Sequence, residues 1–433
     1  MFKQLLQKLF IALCLLSSIS FHASAQEAME LSLKKAREYA LEHNKNLINA
    51  GLSVDEASMG IRQTIAQGLP QVNATVDYNN FFGSTVSFGD IPGFDIEFNP
   101  TSNLSVSLSQ LIFSGSYIVG IQTARLYKEI TEAGLEKTEL EIKAQVTQAY
   151  YLSLIAMKSL NILEANLSNM QDLLIKTRAL VDVGIAEEVD YDQLSVQAVM
   201  LEDAQRASQR QVELALNMLR LQMGLEAATA ITLTDDFETL IGQTNFQATL
   251  AESLQLEHNP DFRQMTIQTQ IAEKQVNMER AAYLPTLSGF YNYTEKLLKP
   301  EFDMTPNHVI GVNLSIPIFS SGVRRAGVSR AKINLNIAEN QKELVEQQLK
   351  IHEQQLRFNL STALEQYESQ ERNLDVARRV FENIKNKYGQ GMISSLDLTT
   401  ANSNFLQAEN SYISSLMQLM DAQVELDKLL NRL

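Results

Sequence analysis

The run LPTLSGFYNYT, Leu284 to Thr294, and the run HVIGVNLSIPI, His308 to Ile318, decide the reading of this chain. In the first, Leu287, Tyr291 and Tyr293 fall on one face with Gly289. Thr286, Ser288, Asn292 and Thr294 fall on the other, with Phe290 as the exception. In the second, Ile310, Val312, Leu314, Ile316 and Ile318 alternate with Val309, Gly311, Asn313, Ser315 and Pro317. A period of two belongs to extended strands. An earlier stretch, Leu69 to Gly115, repeats the pattern: Val72, Ala74, Val76 and Tyr78 alternate with Asn73, Thr75, Asp77 and Asn79, and Leu104, Val106 and Leu108 with Asn103, Ser105, Ser107 and Ser109. Strands are therefore expected at about 70–79, 102–112, 285–294 and 308–318, and no further sheet is expected to cover their apolar faces. Lipid covers such a face in a transmembrane β-barrel, whose strands of about ten residues are apolar outside and polar inside.

Four strands cannot close a barrel, and an open edge in lipid leaves backbone N–H and C=O groups unpaired at several kcal/mol each. The reading therefore requires self-association. Two copies give eight strands, normally filled by side chains; three give twelve, wide enough for a watery lumen. The small polar inward residues favour three.

Outward from the strands the pattern is helical. It runs from Leu31 to about Gln67 and ends at Leu69-Pro70, because proline disfavours helix in the residue before it. A loop rich in Gly, Phe and Asp, Asn79 to Thr101, reads as an exposed outer loop. Helix is next expected from after Gly115 to about Val181, some 100 Å at about 1.5 Å per residue. Its seam is Leu160, Leu163, Leu167, Met170 and Leu174. A turn at Val183-Gly184 sends the chain back through Leu194, Ala198, Leu201, Val212, Ala215 and Leu219. The plan then recurs: Glu42-His43-Asn44 as Glu257-His258-Asn259, Gly184 as Gly391, and Asp190 as Asp397. The second long helix, about Val323 to Tyr388, carries Ala363, Tyr367, Leu374, Ala377, Phe381, Ile384 and Tyr388. Its return carries Leu398, Ala401, Phe405, Ala408, Tyr412, Leu419, Ala422, Leu426 and Leu429. The organisation expected is a first repeat over 26–226, a less periodic crossover over 227–248, and a second repeat over 249–433.

Residues 1–25 read as a cleaved secretory signal. Lys3 and Lys8 lead into the apolar run Leu9 to Leu16, and Ala23-Ser24-Ala25 offers the cleavage site. The alternative is an uncleaved anchor helix. The single cysteine, Cys14, lies inside this segment, so no disulfide or lipid anchor is expected in the mature chain. Losing both lysines takes the formal charge from −15 to −17. So acidic a chain is not expected to bind nucleic acid, since phosphate contacts need Lys and Arg. No later run of about twenty apolar residues could form a membrane helix.

An enzyme finds little support. The five histidines, His22, His43, His258, His308 and His352, are scattered, none at metal-ligand spacing. No cofactor, metal or catalytic site is expected. His43-Asn44 and His258-Asn259 read as helix breaks or caps. Gly389-Gln390-Gly391 has Ser394 where a phosphate loop would have its third glycine, and no strand precedes it.

Taken in order, these features resemble the TolC-like outer-membrane efflux proteins. They are Leu69-Pro70 and Leu284-Pro285 at strand entry, Ile112-Phe113-Ser114-Gly115 and Pro317-Ile318-Phe319-Ser320-Ser321-Gly322 at strand exit, and the turns Val183-Gly184-Ile185 and Gly391-Met392-Ile393. The resemblance implies a mostly α protein with a small transmembrane β part. It would be a homotrimer whose twelve strands form one outer-membrane barrel of a Gram-negative bacterium, continued by a periplasmic α-barrel. It also implies a periplasmic adaptor (membrane fusion) protein that links the duct to an inner-membrane pump. On this reading the chain is a passive export duct; a structural coiled-coil spacer is the alternative. The turns Val183 to Glu188 and Tyr388 to Ser394, with Ile185, Met392 and Ile393 exposed, would meet the adaptor. The family's inner hairpin also carries two aspartates, three residues apart, at its constriction. Asp397 matches the first and Thr400 stands at the second, so one ring of three carboxylates is expected. Ser394 and Asp397 equally have the spacing of a helix capping box, with Asp190 as the same device in the other hairpin.

Overall fold

The computed structural model describes residues 29–87, 95–299, 303 and 305–433; the expected signal segment lies outside them. The elements follow in order as β1 (Met29–Leu31), α1 (Leu33–His43), α2 (Lys45–Ala66), β2 (Gln71–Asn79), β3 (Thr85–Ser87), β4 (Asp95–Glu97), β5 (Thr101–Phe113), α3 (Gly115–Asp182) and α4 (Glu188–Met223). Then come β6 (Ile231–Leu233), α5 (Phe237–Gln243), α6 (Phe246–Ala251), a 3-10 turn (Leu256–His258), α7 (Pro260–Ala281), β7 (Thr286–Leu298), β8 (His308–Ser315), α8 (Val323–Tyr388) and α9 (Ser395–Leu429). Two compact units divide the chain. One holds the chain up to Asn44 with Ile142–Ala248 and Ser361–Val424; the other holds Lys45–Glu141, Thr249–Leu360 and Glu425–Leu433. Among the described residues no helix is long and apolar enough to cross a membrane.

The second unit holds the sheet. Its antiparallel order is β2-β5-β7-β8, with β2 and β8 as open edges. The register stacks like on like, with Val309 as the exception. Val72 pairs with Leu108, Leu108 with Tyr291 and Tyr291 with Ile310, while Asn73 pairs with Ser107, Ser107 with Asn292 and Asn292 with Val309. One face is thus a continuous apolar band, barest on the edge strands, where Val72 is 67% and Ile310 84% exposed. Phe290, the residue out of pattern, pairs with Gly311, and a Cβ there would meet its ring at 2.6 Å. The ring occupies the space the glycine leaves, a known way to hold a glycine-bearing strand.

Two expectations need correction. The four-stranded sheet is not the whole β content. β3 pairs antiparallel with β4 in the outer loop, and β1 pairs in parallel with β6. Strands of three residues are too short for alternation to show, and β1 and β6 are some two hundred residues apart. The last strand ends at Ser315 rather than Ile318, because Pro317 has no N–H for the ladder; Ile316, Ile318 and Phe319 are left exposed. The crossover 227–248 is built of β6, α5 and the start of α6.

The break at Asn44 and the cap at Asn259 were legible. Asn44 is the C-cap of α1 and its Nδ2 donates to Gln222 O at 2.7 Å. Asn259 is the N-cap of α7, its Oδ1 accepting from Asp261 N and Phe262 N. His43 stacks on Tyr39, ring centroids 3.9 Å apart. In the first unit Asp235 Oδ2 accepts from Leu33 N at 2.7 Å and lies 3.0 Å from the Tyr150 hydroxyl, which also sits 2.9 Å from Leu31 O. Burial, then the carboxylate beside it, pushes the Tyr150 hydroxyl above its ordinary pKa. This cluster fastens β1 to α3 and explains why so short a strand pair persists.

Helix columns fill the rest of that unit. Leu167, Met170 and Leu173 of α3, Leu194, Ala198, Leu201, Ala215 and Leu219 of α4, and Leu398, Ala401, Phe405, Ala408 and Tyr412 of α9 are buried. On α3 the buried row takes Leu173 where Leu174 was expected, and Leu160, Leu163 and Leu174 are half-buried. Phe381 and Phe405 stack at 5.3 Å with their rings 5° from parallel.

Gly224, the C-cap of α4, has φ +75°, and a Cβ there would lie 2.5 Å from His43 O. Gly184 has φ +73° with open space around it. Gly224→Ala carries both a left-handed penalty of about 1–2 kcal/mol and a backbone clash; Gly184→Ala carries the first alone. Thermal melting followed by circular dichroism should show at least twice the loss of midpoint for Gly224→Ala. Equal losses would refute the close approach.

Candidate functional site

The candidate site is the pair of hairpin turns. Each is made the same way. Gly184 N donates to Val181 O at 2.9 Å and Ile185 N to Leu180 O at 2.9 Å; Gly391 N donates to Tyr388 O at 2.9 Å and Met392 N to Lys387 O at 3.0 Å. With φ +73° and +69°, the glycines occupy the left-handed C′ position of a Schellman motif, where other L residues are strained. That motif commonly buries its C″ side chain on residue C3. Here C″ is Ile185 or Met392, and they stay 66% and 67% exposed; the C3 residue below Met392 is Lys387. Val183 is also exposed. Ile393, expected to be exposed, is half-buried.

The turns meet each other. Ile185 Cγ2 lies 3.7 Å from where a Gly391 Cβ would be. Ser395 Oγ, at the start of α9, donates to Asp190 Oδ1 and contacts Gln193 Oε1, both on α4. Further up the columns, Thr177 Oγ1 and Tyr388 Oη are 3.0 Å apart and buried, and Lys385 Nζ donates to Asn169 Oδ1 at 2.9 Å. Asn166 Nδ2 donates to Glu409 Oε2 at 2.7 Å. Burial raises the Glu409 pKa, while the Asn166 bond opposes the rise. These four polar ties join the α3–α4 hairpin to the α8–α9 hairpin. Sequence reasoning missed them, although Asn166 and Glu409 are polar residues in otherwise apolar rows and so left a signal.

Asp397 is exposed in the first turn of α9. Its Oδ2 accepts from Ser394 Oγ at 2.8 Å and Ser394 N at 3.3 Å, and Ser394 Oγ accepts from Asp397 N at 3.2 Å. This is a reciprocal cap, and a carboxylate there also meets the positive end of the helix dipole. Asp190 makes the matching cap, accepting from Glu187 N at 3.0 Å, but its other oxygen is taken by Ser395. The two aspartates are therefore not equivalent. Thr400 Oγ1, in the place expected for a second acid, donates to Leu396 O at 2.8 Å.

Beyond Asp397, α9 shows solvent a row of uncharged polar residues: Thr400, Asn404, Gln407, Asn410, Ser414 and Gln418. No Lys or Arg occurs between Gly389 and Asp427. Gln407 and Asn410 also line a groove of about 580 Å³ with Gln366 and Gln370 of α8.

The strand-entry and strand-exit residues sit at the ends of the sheet. Leu69, Pro70, Phe113, Leu284, Phe319 and Gly322 are exposed and Pro285 is half-buried. Gly115 is buried; a Cβ on it would come within 2.7 Å of Leu284 Cδ1, so the first exit packs on the second entry.

Comparison with known proteins agrees with this architecture. The chain is 24% identical over 400 residues to the probable outer membrane lipoprotein SilC of Salmonella typhimurium, covering 88% of this chain and 80% of SilC. It is 25% identical over 401 residues to the cation efflux system protein CusC of Escherichia coli O157:H7, with the same coverage. A solved structure of CusC shares the fold with a TM-score of 0.75 at 18% identity, covering 95% of each chain. The model of the outer membrane efflux protein family matches residues 36–225 and 252–432, nearly the whole described chain, and the chain belongs to that family.

Proposed function

We propose that this outer-membrane efflux channel works as a passive homotrimeric duct, carrying cargo from an inner-membrane pump and a periplasmic adaptor out of the cell. One observation carries the reading: a four-stranded sheet with one continuous apolar face, barest on its edge strands, and two unpaired edges. Three such sheets joined edge to edge give twelve strands, with the Asn, Ser and Thr face lining a watery bore and the Val, Leu, Ile and Tyr face meeting lipid. The uncharged row of α9 suits the wall of such a duct below the membrane, because it neither binds nor repels a charged solute strongly. Nothing in this mechanism uses a cofactor or a covalent step.

The adaptor is assigned to the turns. Ile185 and Met392 are apolar and exposed on turns that meet at Ile185 and Gly391, and their local motif does not bury them. Exposed apolar side chains on a rigid, well-capped turn make a suitable anchor for a protein partner. Asp397 is assigned a second role in addition to its cap. The cap uses Oδ2 alone, so Oδ1 is available to a ring of three carboxylates near the axis. Three like charges held together raise affinity for cations.

Ile185→Asp with Met392→Asp should leave the detergent-solubilised protein at three times the mature chain mass while lowering cellular export at least tenfold. A wild-type protein that runs as a stable folded monomer refutes the trimer, and normal export by the double variant refutes the anchor. For the ring, Asn retains the capping oxygen and removes the charge. Asp397→Asn should therefore weaken cation selectivity and block by multivalent cations several-fold in planar bilayers, with Asp190→Asn changing both less. Identical behaviour of the two variants would leave Asp397 as a cap only.

A further inference from the structure

The chain is acidic, with 51 Asp and Glu against 36 Lys and Arg, but its charge reverses beside the sheet. β2, β5, β7 and β8 are antiparallel, and α2, α3, α7 and α8 all join them at one end. The stretches next to that end are 57–70, 115–126, 274–285 and 316–326. They hold Arg62, Arg125, Lys274, Arg280, Arg324 and Arg325 against a single acid, Glu279. Glu279 in turn has Arg330 at 4.0 Å. The opposite end of the sheet has the other sign: the loops 77–101 and 295–307 hold seven acids, with Lys296 and Lys299 as their only bases. Further along α8 the charges mix, with Glu339, Lys342, Glu343 and Glu346 in close succession.

The six cations form a collar. Arg62 lies four residues before the end of α2 and Arg280 one before the end of α7, while Arg324 and Arg325 directly follow the start of α8 at Val323. Lys274 and Arg125 are the farthest from the sheet, and all six fall within about 15 Å of helix from it. Arg62, Arg125, Arg280 and Arg325 are exposed. Among the described residues, none of the five arginines forms an ion pair.

Arg324 shows which surface the collar borders. Its Nη1 donates to Pro317 O at 3.0 Å, and its guanidinium lies 5.5 Å from the centre of the Tyr283 ring. Pro317 sits between Ile316 and Ile318, which carry the apolar rhythm of β8 past the end of its ladder; Ile318 is 92% exposed. Arg324 is therefore tied to the segment that prolongs the apolar face. Held by one hydrogen bond and a ring, it keeps most of its five N–H groups for a ligand, and its planar fork suits phosphate oxygens. Tyr and Arg at the edge of an apolar band are the composition of a boundary between hydrocarbon and headgroups.

We propose that this collar binds the phosphate groups of anionic phospholipids in the leaflet on the helix side of the sheet. Two observations select a lipid: the collar continues the apolar face, and its sign complements a layer of lipid phosphates, which attracts Lys and Arg lying at its surface. The inference rests on the membrane-spanning sheet of the duct and goes beyond it, since an apolar band alone has no preference among headgroups.

The test places the wild-type protein in phosphatidylcholine nanodiscs with a trace of spin-labelled phosphatidylglycerol or, in a parallel sample, spin-labelled phosphatidylcholine. Electron spin resonance then reads the fraction of each lipid immobilised at the protein. The wild type should favour phosphatidylglycerol at least threefold, and less so in high salt. Arg324→Gln with Arg325→Gln, and separately Arg62→Gln with Arg280→Gln, should each cut that preference by about half or more, with the native mass still trimeric. Lys350→Gln, twenty-seven residues beyond the start of α8, should leave it unchanged. A wild type without preference, two double variants that keep it, or an equal loss in Lys350→Gln would overturn the collar while the duct stands. So would release of the lipid by millimolar inorganic phosphate, which would mark a site for free anions, or a change in anion conductance through phosphatidylcholine bilayers with lipid preference intact, which would turn the arginines to the bore. A monomeric native mass would instead overturn the duct reading, and the collar's place in the membrane with it.

Discussion

A peptide group in hydrocarbon has no water to bond to, and the rest of this protein depends on that constraint. The four-stranded sheet satisfies its inner strands and leaves one ladder's worth of N–H and C=O groups open at β2 and another at β8. Each unpaired group in lipid costs several kcal/mol, far more than any surface ion pair in the chain could return at about 0–1 kcal/mol. Among the described residues there are no further strands to close the ring. β1 and β6 are three residues long and belong to the other unit, and β3 and β4 pair only with each other. On the proposed reading, pairing with copies of itself is the solution that uses the surfaces the chain has.

The helices answer a different need. A wall of helices must be thin and closely packed, and the alternation of large residues with alanine in α4 and α9 permits this: Leu194 with Ala198, Phe405 with Ala408. The polar ties Asn166–Glu409 and Thr177–Tyr388 fix which helix lies beside which, a register role that apolar packing alone fills poorly. At the turns, glycines in the left-handed region let the chain reverse within a few residues. The reversal leaves Ile185 and Met392 outside.

Much of this was legible in the residues because two periods are hard to counterfeit. Alternation at Ile310, Val312 and Leu314 and three–four spacing at Leu398, Ala401 and Phe405 each specify one kind of element, and Asn44 and Asn259 announced their caps. What escaped had no period. A strand such as Ile231–Leu233 shows three residues, and its partner Met29–Leu31 is held by Asp235 and Tyr150, contacts that only the folded chain brings together. The overestimate at Ile316–Ile318 came from counting side chains without counting N–H groups, since Pro317 keeps the apolar rhythm but not the ladder. At the turns the sequence marked the glycines and the caps correctly. It did not distinguish Asp190 from Asp397, because the difference lies in Ser395, an atom supplied by the other hairpin.

The central claim is that both sheet edges are paired in the membrane, and backbone amide hydrogen exchange measures this directly. With the wild-type protein in lipid nanodiscs, the account predicts that the outward N–H groups of β2 and β8 exchange as slowly as those of the inner strands β5 and β7. Edge amides that exchange orders of magnitude faster than the inner strands would contradict it.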